Sequence, residues 1–223
     1  METGSPEIVP LDEERLEDLR ALFDEGGDPK TCQCAFWRVA GSGWGDWTRD
    51  RNRVVLGELA GRSPAPGLVA YADGRAVGWV SLGPREEFVR LVRSRVRPRL
   101  DDVPVWSIVC FVVSRASRRQ GLARRLLDSA VDYARQHGAP AVEAYPVDTR
   151  GAKVAAASAY TGLLSTFEAA GFRVVHEIDS PAATVRRVIV RRDLAPAKVS
   201  RSTAGRGRPR APTRRGTART PRE

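Results

Sequence analysis

Val112-Val113-Ser114-Arg115-Ala116-Ser117-Arg118-Arg119-Gln120-Gly121-Leu122-Ala123 joins two unlike patterns. Upstream, Val103 to Val113 is the most apolar run of the chain and reads as a central strand buried on both faces. Downstream, Gly121 to His137 has a helical period. Leu122, Ala123, Leu126, Leu127, Ala130, Val131 and Ala134 form one stripe, and Arg124, Arg125, Asp128, Asp132 and Arg135 the other. Gly138 supplies the stop. A helix N-terminus exposes unpaired backbone N–H groups and a partial positive charge. Gly121 and Ala123 are small, and Arg118, Arg119 and Arg124 add charge at the same point. On these residues alone two readings stand: an anion site suited to a pyrophosphate, or a plain strand-to-helix turn with exposed arginines.

Outward from this turn, strands and helices alternate. Glu7 to Leu11 reads as a strand, and Asp12 to Asp24 as a helix opened by an Asp cap. Cys32 to Trp47 is irregular and aromatic, and Asp46 to Leu59 is a second helix. Gly67 to Ala72 and Ala76 to Leu82 form a hairpin around Asp73-Gly74. Arg85 to Arg93 reads as a short helix, Ala141 to Tyr145 as a strand and Gly162 to Ala170 as a helix. Phe172 to Ile178 and Thr184 to Arg191 close the core as strands. The order predicts an α/β fold, a mixed sheet with helices on both faces.

Arg118-x-x-Gly121-x-Ala123, set between a hydrophobic strand and an amphipathic helix, resembles the R/Q-x-x-G-x-G/A signature of the GCN5-related N-acetyltransferases. The element order is similar too, as is Glu168-Ala169-Ala170-Gly171-Phe172, a helix ending in Gly-Phe before a strand. Runs such as Gly78-Trp79-Val80-Ser81-Leu82-Gly83-Pro84 and Val142-Glu143-Ala144-Tyr145-Pro146 resemble a bacterial branch of that superfamily. The likeness spans roughly residues 6 to 193. It implies a mostly antiparallel sheet splayed between the fourth and fifth strands. It also implies acetyl-CoA or another acyl-CoA as co-substrate. The backbone N–H groups of Arg119, Gln120, Gly121, Leu122, Ala123 and Arg124, with Arg118 beside them, would hold the pyrophosphate. Main-chain groups of Phe111, Val112 and Val113 would pair with the pantetheine arm. The implied reaction is direct acyl transfer to an amine of a small molecule or a protein. Dimers are common in the superfamily, and the sequence specifies no interface.

The chain departs from the family pattern where a Tyr often protonates the leaving thiolate. That position is Phe167, and an Asn often found seven residues earlier is Tyr160. A thiolate can leave without a dedicated acid, because its pKa is not far above neutral. Where some relatives carry a basic carboxylate on the fourth strand, this chain has Ser107. Glu143 is the only carboxylate inside the fifth strand, and Tyr145 shares its face. Either Glu143 is the base and Tyr145 the acid, or both belong to a hydrogen-bonded strand edge. Asp148 is a further carboxylate just past the strand.

On the acceptor side, Trp37, Trp44 and Trp47 lie close together, with Gly41, Gly43 and Gly45 between them. They line a pocket for a ring, an apolar group or a cation, or they fill the core under a loop; the glycines favour the pocket. Glu86 and Glu87 either attract an amine or occupy a solvated first helical turn.

Composition bounds the rest. The 223 residues are 42% hydrophobic and 29% charged, enough to bury a core. The net charge is +10, but from Ala195 on nine Lys and Arg face Glu223 alone, so +8 belongs to that segment. Residues 1–194 read as one acyltransferase domain and 195–223 as a disordered basic tail. The tail is either a polybasic arm for nucleic acid or another polyanion, or a solvated extension, which its lack of aromatics favours. Three cysteines and two histidines show no metal spacing and no disulfide framework, so no metal is expected. No apolar run is long enough for a membrane span, and the N-terminus has no signal-peptide pattern. A cytoplasmic location is expected. A non-catalytic acyl-CoA sensor and a nucleic-acid-associated protein remain the rival functions.

Overall fold

Asp73 and Gly74 take φ values of 49° and 72°, the left-handed pair that a two-residue hairpin requires. They join β2 (Gly67–Ala72) to β3 (Arg75–Pro84). In this computed structural model, which describes residues 5–40, 48–179 and 185–194, the hairpin sits in a seven-stranded sheet. The other strands are β1 (Glu7–Pro10), β4 (Trp106–Val113), β5 (Ala141–Ala144), β6 (Arg173–Ile178) and β7 (Arg187–Asp193). Their spatial order is β1-β2-β3-β4-β5-β7-β6. Every neighbouring pair is antiparallel except β4–β5, which is parallel.

Strand alternation sends successive side chains to opposite faces. Leu68, Ala70 and Val80 pack with α5 (Leu122–Gln136) and α6 (Leu164–Ala169). Val69 and Trp79 pack with α1 (Leu16–Asp24) and α3 (Arg49–Ala60). The stripe read from α5 is buried except at Ala123, which is exposed: Leu122, Leu126, Leu127, Ala130, Val131 and Ala134 pack inward. Each fully buried Leu or Val there contributes roughly 1.5–3 kcal/mol. Helices therefore cover both faces, as the element order implies.

Several boundaries differ from expectation. Asp12 caps a turn, accepting the Arg15 N–H at 3.0 Å, and α1 starts only at Leu16. Pro29 at the first positions of a helix seeds α2 (Asp28–Cys32), a helix the sequence reading did not include, which ends where the irregular aromatic segment begins. The helix expected over Arg85–Arg93 is split. Residues Arg85–Glu87 form one 3₁₀ turn and Val89–Val92 form α4, because Phe88 between them leaves the helical region to bury its ring. β4 begins at Trp106, past Pro104, which lacks the N–H a ladder needs. α6 is shorter than read, since Val147 and Leu163 form a bridge just before it. Trp44, Trp47, Asp46, Thr184 and the basic segment 195–223 lie outside the described residues. Among the described residues, no helix is long and apolar enough to cross a membrane.

Candidate active site

β5 is four residues long and is followed by Pro146. It pairs with β4 only through Trp106–Val142, Ser107–Glu143 and Ile108–Ala144. Pro146 has no N–H to carry the ladder further, and a register shift between Ser81 and Leu82 bends β4 away on its other side. The two strands therefore part. The segment from Val147 to Leu163 enters the wedge: Val147 bridges both Leu163 and Arg187, and the Phe111 N–H donates to the Tyr160 carbonyl at 2.7 Å. Arg187 ties this segment down by donating to the Ser158 carbonyl at 2.7 Å and to the Thr161 hydroxyl.

A cavity of about 510 Å³ runs along the parted edge of β4. Phe111, Val112 and Val113 form its floor, Gly26 to Pro29 one wall and Ala156 to Thr166 the other. It extends past Ser114 and Arg115 to Arg118 and Ala123. Its volume lies in the range of roughly 300–1,000 Å³ typical of ligand sites. The Phe111 amide is already engaged by Tyr160, so it is not open to a pantetheine arm in this arrangement. Alternation turns the Val113 amide to the same side as that of Phe111.

At the end of this cavity the chain makes the turn quoted first. Arg119 and Gly121 have φ values of 62° and 77°, and α5 starts at Leu122 with no side-chain cap. The first N–H groups of the helix thus lack a capping partner from a side chain. Gly121 supplies the left-handed geometry at no steric cost, and a Cβ built there meets nothing within 4 Å. The turn leaves open space where a phosphate would approach. Arg118 Nε donates to the Val113 carbonyl at 3.2 Å, which sets its guanidinium beside the strand end. Gln120 instead caps the Ala116 carbonyl at 2.8 Å, and Arg124 is paired with Asp128 at 2.9 Å. Of the expected pyrophosphate residues, Arg118 and Ala123 line the cavity directly. These features fit an elongated phosphate-bearing coenzyme: apolar floor, open glycine turn and adjacent cation.

A second cavity of about 210 Å³ adjoins the first and shares Asp28, Pro29, Phe111, Val112, Ala157 and Tyr160 with it. Its own walls are Cys32, Cys34, Phe36, Trp37 and Cys110. Trp37, expected on the acceptor side, is there, and Phe36 packs edge-on against it at 5.2 Å. Cys32 and Cys110 are held in their thiol form. Burial, then the neighbouring Cys34, pushes Cys32 up to about 12, and Cys110 is raised by its hydrogen bond to Cys34 and by burial. Among the described residues, no cluster of three or more His, Cys, Asp or Glu could hold a metal ion.

Both members of the expected acid–base pair are buried and already hydrogen-bonded. Glu143 is 1% exposed and faces Arg191, its cross-strand neighbour on β7, which donates to Oε1 at 2.6 and 3.0 Å. Arg191 also holds Asp101, at 3.2 Å to Oδ1. Tyr145 is fully buried, stacked on Trp37 at 6.4 Å, with its hydroxyl 3.0 Å from Ser107 Oγ. Burial, then the Glu143 charge, pushes its pKa up to about 12, against the Ser107 hydrogen bond. Neither residue lines either cavity. Their contacts are those of buried hydrogen-bonded groups, the arrangement that the second of the two readings above describes. Asp148 is likewise engaged, by Arg186 at 3.3 Å. Phe167, at the usual Tyr position, is buried edge-on against Phe111 and Phe172.

Tyr160, which the sequence reading named only as a departure from the family pattern, belongs to the site. It lines both cavities, and among the described residues its hydroxyl has no hydrogen-bond partner. Burial raises its pKa, with Arg187 acting against that shift. Its signal in the sequence was one large side chain directly after Ala155-Ala156-Ala157-Ser158-Ala159, a small-residue run suited to close packing.

The family model for the acetyltransferase (GNAT) family matches residues 30–161. Among solved structures, a GCN5-related N-acetyltransferase from Kribbella flavida is 18% identical, with a TM-score of 0.52 over 85% of this chain and 98% of that one. A Drosophila melanogaster polyamine N-acetyltransferase is 13% identical, with a TM-score of 0.54 over 85% and 100%. The protein yncA of Salmonella typhimurium, solved with its cofactor acetyl-CoA, is 19% identical, with a TM-score of 0.51 over 86% and 95%. These likenesses concern the fold. No curated protein matches the chain. With its splayed β4–β5 pair, its Gly121 turn and a family match over more than half its length, the chain belongs to the GNAT acetyltransferase family.

Proposed function

We propose that this chain transfers the acetyl group of acetyl-CoA to a primary amine by direct attack. The observation that carries the reading is the pair of joined cavities, one ending at the Gly121 turn and the other aromatic, meeting at Phe111, Val112 and Tyr160. The coenzyme supplies an activated thioester. The turn from Arg119 to Arg124 would receive the pyrophosphate through backbone N–H groups, with Arg118 adding charge. The β4 edge through Val113 would align the pantetheine arm, and a β4 amide would donate to the developing oxyanion, a contact of about 3–4 kcal/mol in acyl transfer.

The amine must be neutral to attack. Asp28 is the only carboxylate shared by the linings of the two cavities. It would attract the ammonium and relay its proton to water. The Tyr160 phenol stays protonated near neutral pH, because burial raises its pKa. It is a weaker acid than a thiol, so it would stabilise the leaving thiolate by a hydrogen bond rather than by full proton transfer. Thiol release from acetyl-CoA over a panel of primary amines tests the reading. Amine-dependent release supports it. Coenzyme binding without release on any amine would instead favour an acyl-CoA sensor.

A further inference from the structure

Three walls of the second cavity are aromatic, Phe36, Trp37 and Tyr160, and Asp28 is the only carboxylate in its lining. Aromatic faces with a carboxylate beside them ordinarily attract an ammonium group. Here each ring already carries a guanidinium of the protein itself. Arg90 Cζ lies 4.3 Å from the Phe36 centroid, Arg97 Cζ 5.3 Å from that of Trp37 and Arg187 Cζ 5.4 Å from that of Tyr160. None of the three arginines lines either cavity, so each acts across its ring. A cation on the cavity side of a ring would stand roughly 9 Å from the guanidinium behind it, a repulsion of about threefold to tenfold in affinity once water screens it.

Tyr160 shows the sign of the resulting potential where the two cavities meet. Burial raises its pKa, and the Arg187 and Arg97 charges pull against that shift. Among the described residues, neither Arg97 nor Arg187 is paired with a carboxylate. Glu143 acts on Tyr145, which stacks on Trp37, but Glu143 is claimed by Arg191. Asp28 is exposed, where water screens its charge. The junction at Phe111, Val112 and Tyr160 is thus held positive. A carboxylate gains no contact there either. With no cationic side chain in the lining of the second cavity, it would lose its water without meeting a partner. A volume of about 210 Å³ lies below the drug-sized range of roughly 300–1,000 Å³, which fits a small molecule rather than a protein segment.

We propose that the arginines behind the aromatic walls make the second cavity select an uncharged apolar body, so that the acceptor is a small primary monoamine, taken up as the free amine, and diamines are rejected. The identity of the acceptor rests on the acetyl-transfer reading; the charge selection stands on the rings and their arginines. A neighbouring positive charge disfavours the protonated form of an amine. The arginines therefore favour the neutral nucleophile that attack needs, in a site where Glu143 is committed to Arg191. Asp28, at the exposed edge, would receive the ammonium and pass its proton to water before the amine reaches the junction.

The test titrates the full chain with choline and with its uncharged carbon isostere, 3,3-dimethylbutan-1-ol. The variants are Arg97→Gln, which removes a charge, and Arg97→Lys, which keeps it. Thermal unfolding of each variant is the control for folding. The alcohol should bind the parent chain at least about tenfold tighter than choline. Arg97→Gln should narrow that gap by about threefold to tenfold, through choline alone, and Arg97→Lys should preserve it. Choline binding as tightly as the alcohol, no binding of the alcohol, or a gap that Arg97→Gln leaves unchanged overturns the selection. In the transfer assay, hexylamine should exceed its isostere 1,5-diaminopentane in kcat/KM by at least about tenfold. If the diamine is acetylated equally well, transfer stands and the selection falls. If the alcohol and choline differ as stated but no amine is acetylated, the selection stands and the transfer reading falls.

Discussion

Replacing Glu143 by Gln separates a structural carboxylate from a catalytic one. The carboxylate is 1% exposed and takes two hydrogen bonds from Arg191 at 2.6 and 3.0 Å. Removing one partner of a buried ion pair costs about 3–5 kcal/mol, because the other charge is left buried. Two features moderate this. The amide oxygen of Gln can still accept one hydrogen bond, and Asp101 still pairs with Arg191. A loss of about 3 kcal/mol is therefore expected, roughly 6–12 °C in Tm for a domain of this size. The assays are thermal unfolding by circular dichroism, calorimetric titration with CoA and thiol release well below the variant's Tm. Tm should fall by that amount, coenzyme affinity should hold within about twofold, and turnover should change by less than about threefold. An unchanged Tm with turnover reduced a hundredfold would refute the structural assignment and return Glu143 to the role of base.

Tyr160→Phe should lower kcat by about 10- to 100-fold, as loss of one hydrogen bond to a developing thiolate does. It should leave CoA affinity intact, since the bond to the Phe111 N–H uses the main-chain carbonyl; unchanged kcat would remove the phenol from the reaction. The Arg191 guanidinium beside Asp101 holds its carboxyl below the ordinary value. A depressed carboxyl contributes stability above the unfolded pKa of about 3.9, and that contribution is lost as pH falls through the folded value. Below about pH 4, Tm should therefore fall more steeply with acidification in the parent chain than in Asp101→Asn; parallel curves would contradict the pairing. A methyl at Gly67 would collide with the Trp79 ring and the Val80 carbonyl. Gly67→Ala should thus destabilise by about 1–3 kcal/mol, measured by urea unfolding, and a neutral outcome would show that β2 and β3 can part there.

Periodicity carried most of the fold. The α5 stripe, the Asp73-Gly74 hairpin and the apolar β4 run each state their partner locally, through spacing or turn chemistry. The Gly121 turn was legible for the same reason: a strand, a glycine and a helix are adjacent in the chain. What escaped depends on distant neighbours. Glu143 reads as a candidate base until Arg191, forty-eight residues later, is seen opposite it on β7. Trp37 reads as a pocket wall, but nothing local announces that Arg97 lies over its ring. The parting of β4 and β5 was expected from the family resemblance alone; the structure supplies its physical reason in Pro146, which stops the ladder after a short strand. Tyr160 reaches the site only because that parting admits the Val147–Leu163 segment.

The most direct measurement is a calorimetric titration of acetyl-CoA and CoA into the parent chain and Gly121→Glu. A side chain at Gly121 meets nothing within 4 Å, although φ is 77°, so the variant should fold with a loss of about 1–2 kcal/mol. Its carboxylate would stand where the pyrophosphate is expected. The account predicts saturable binding to the parent chain and none to the folded variant. Equal affinity in both would mean that the Arg118–Ala123 turn does not hold the coenzyme, and the central claim would be wrong.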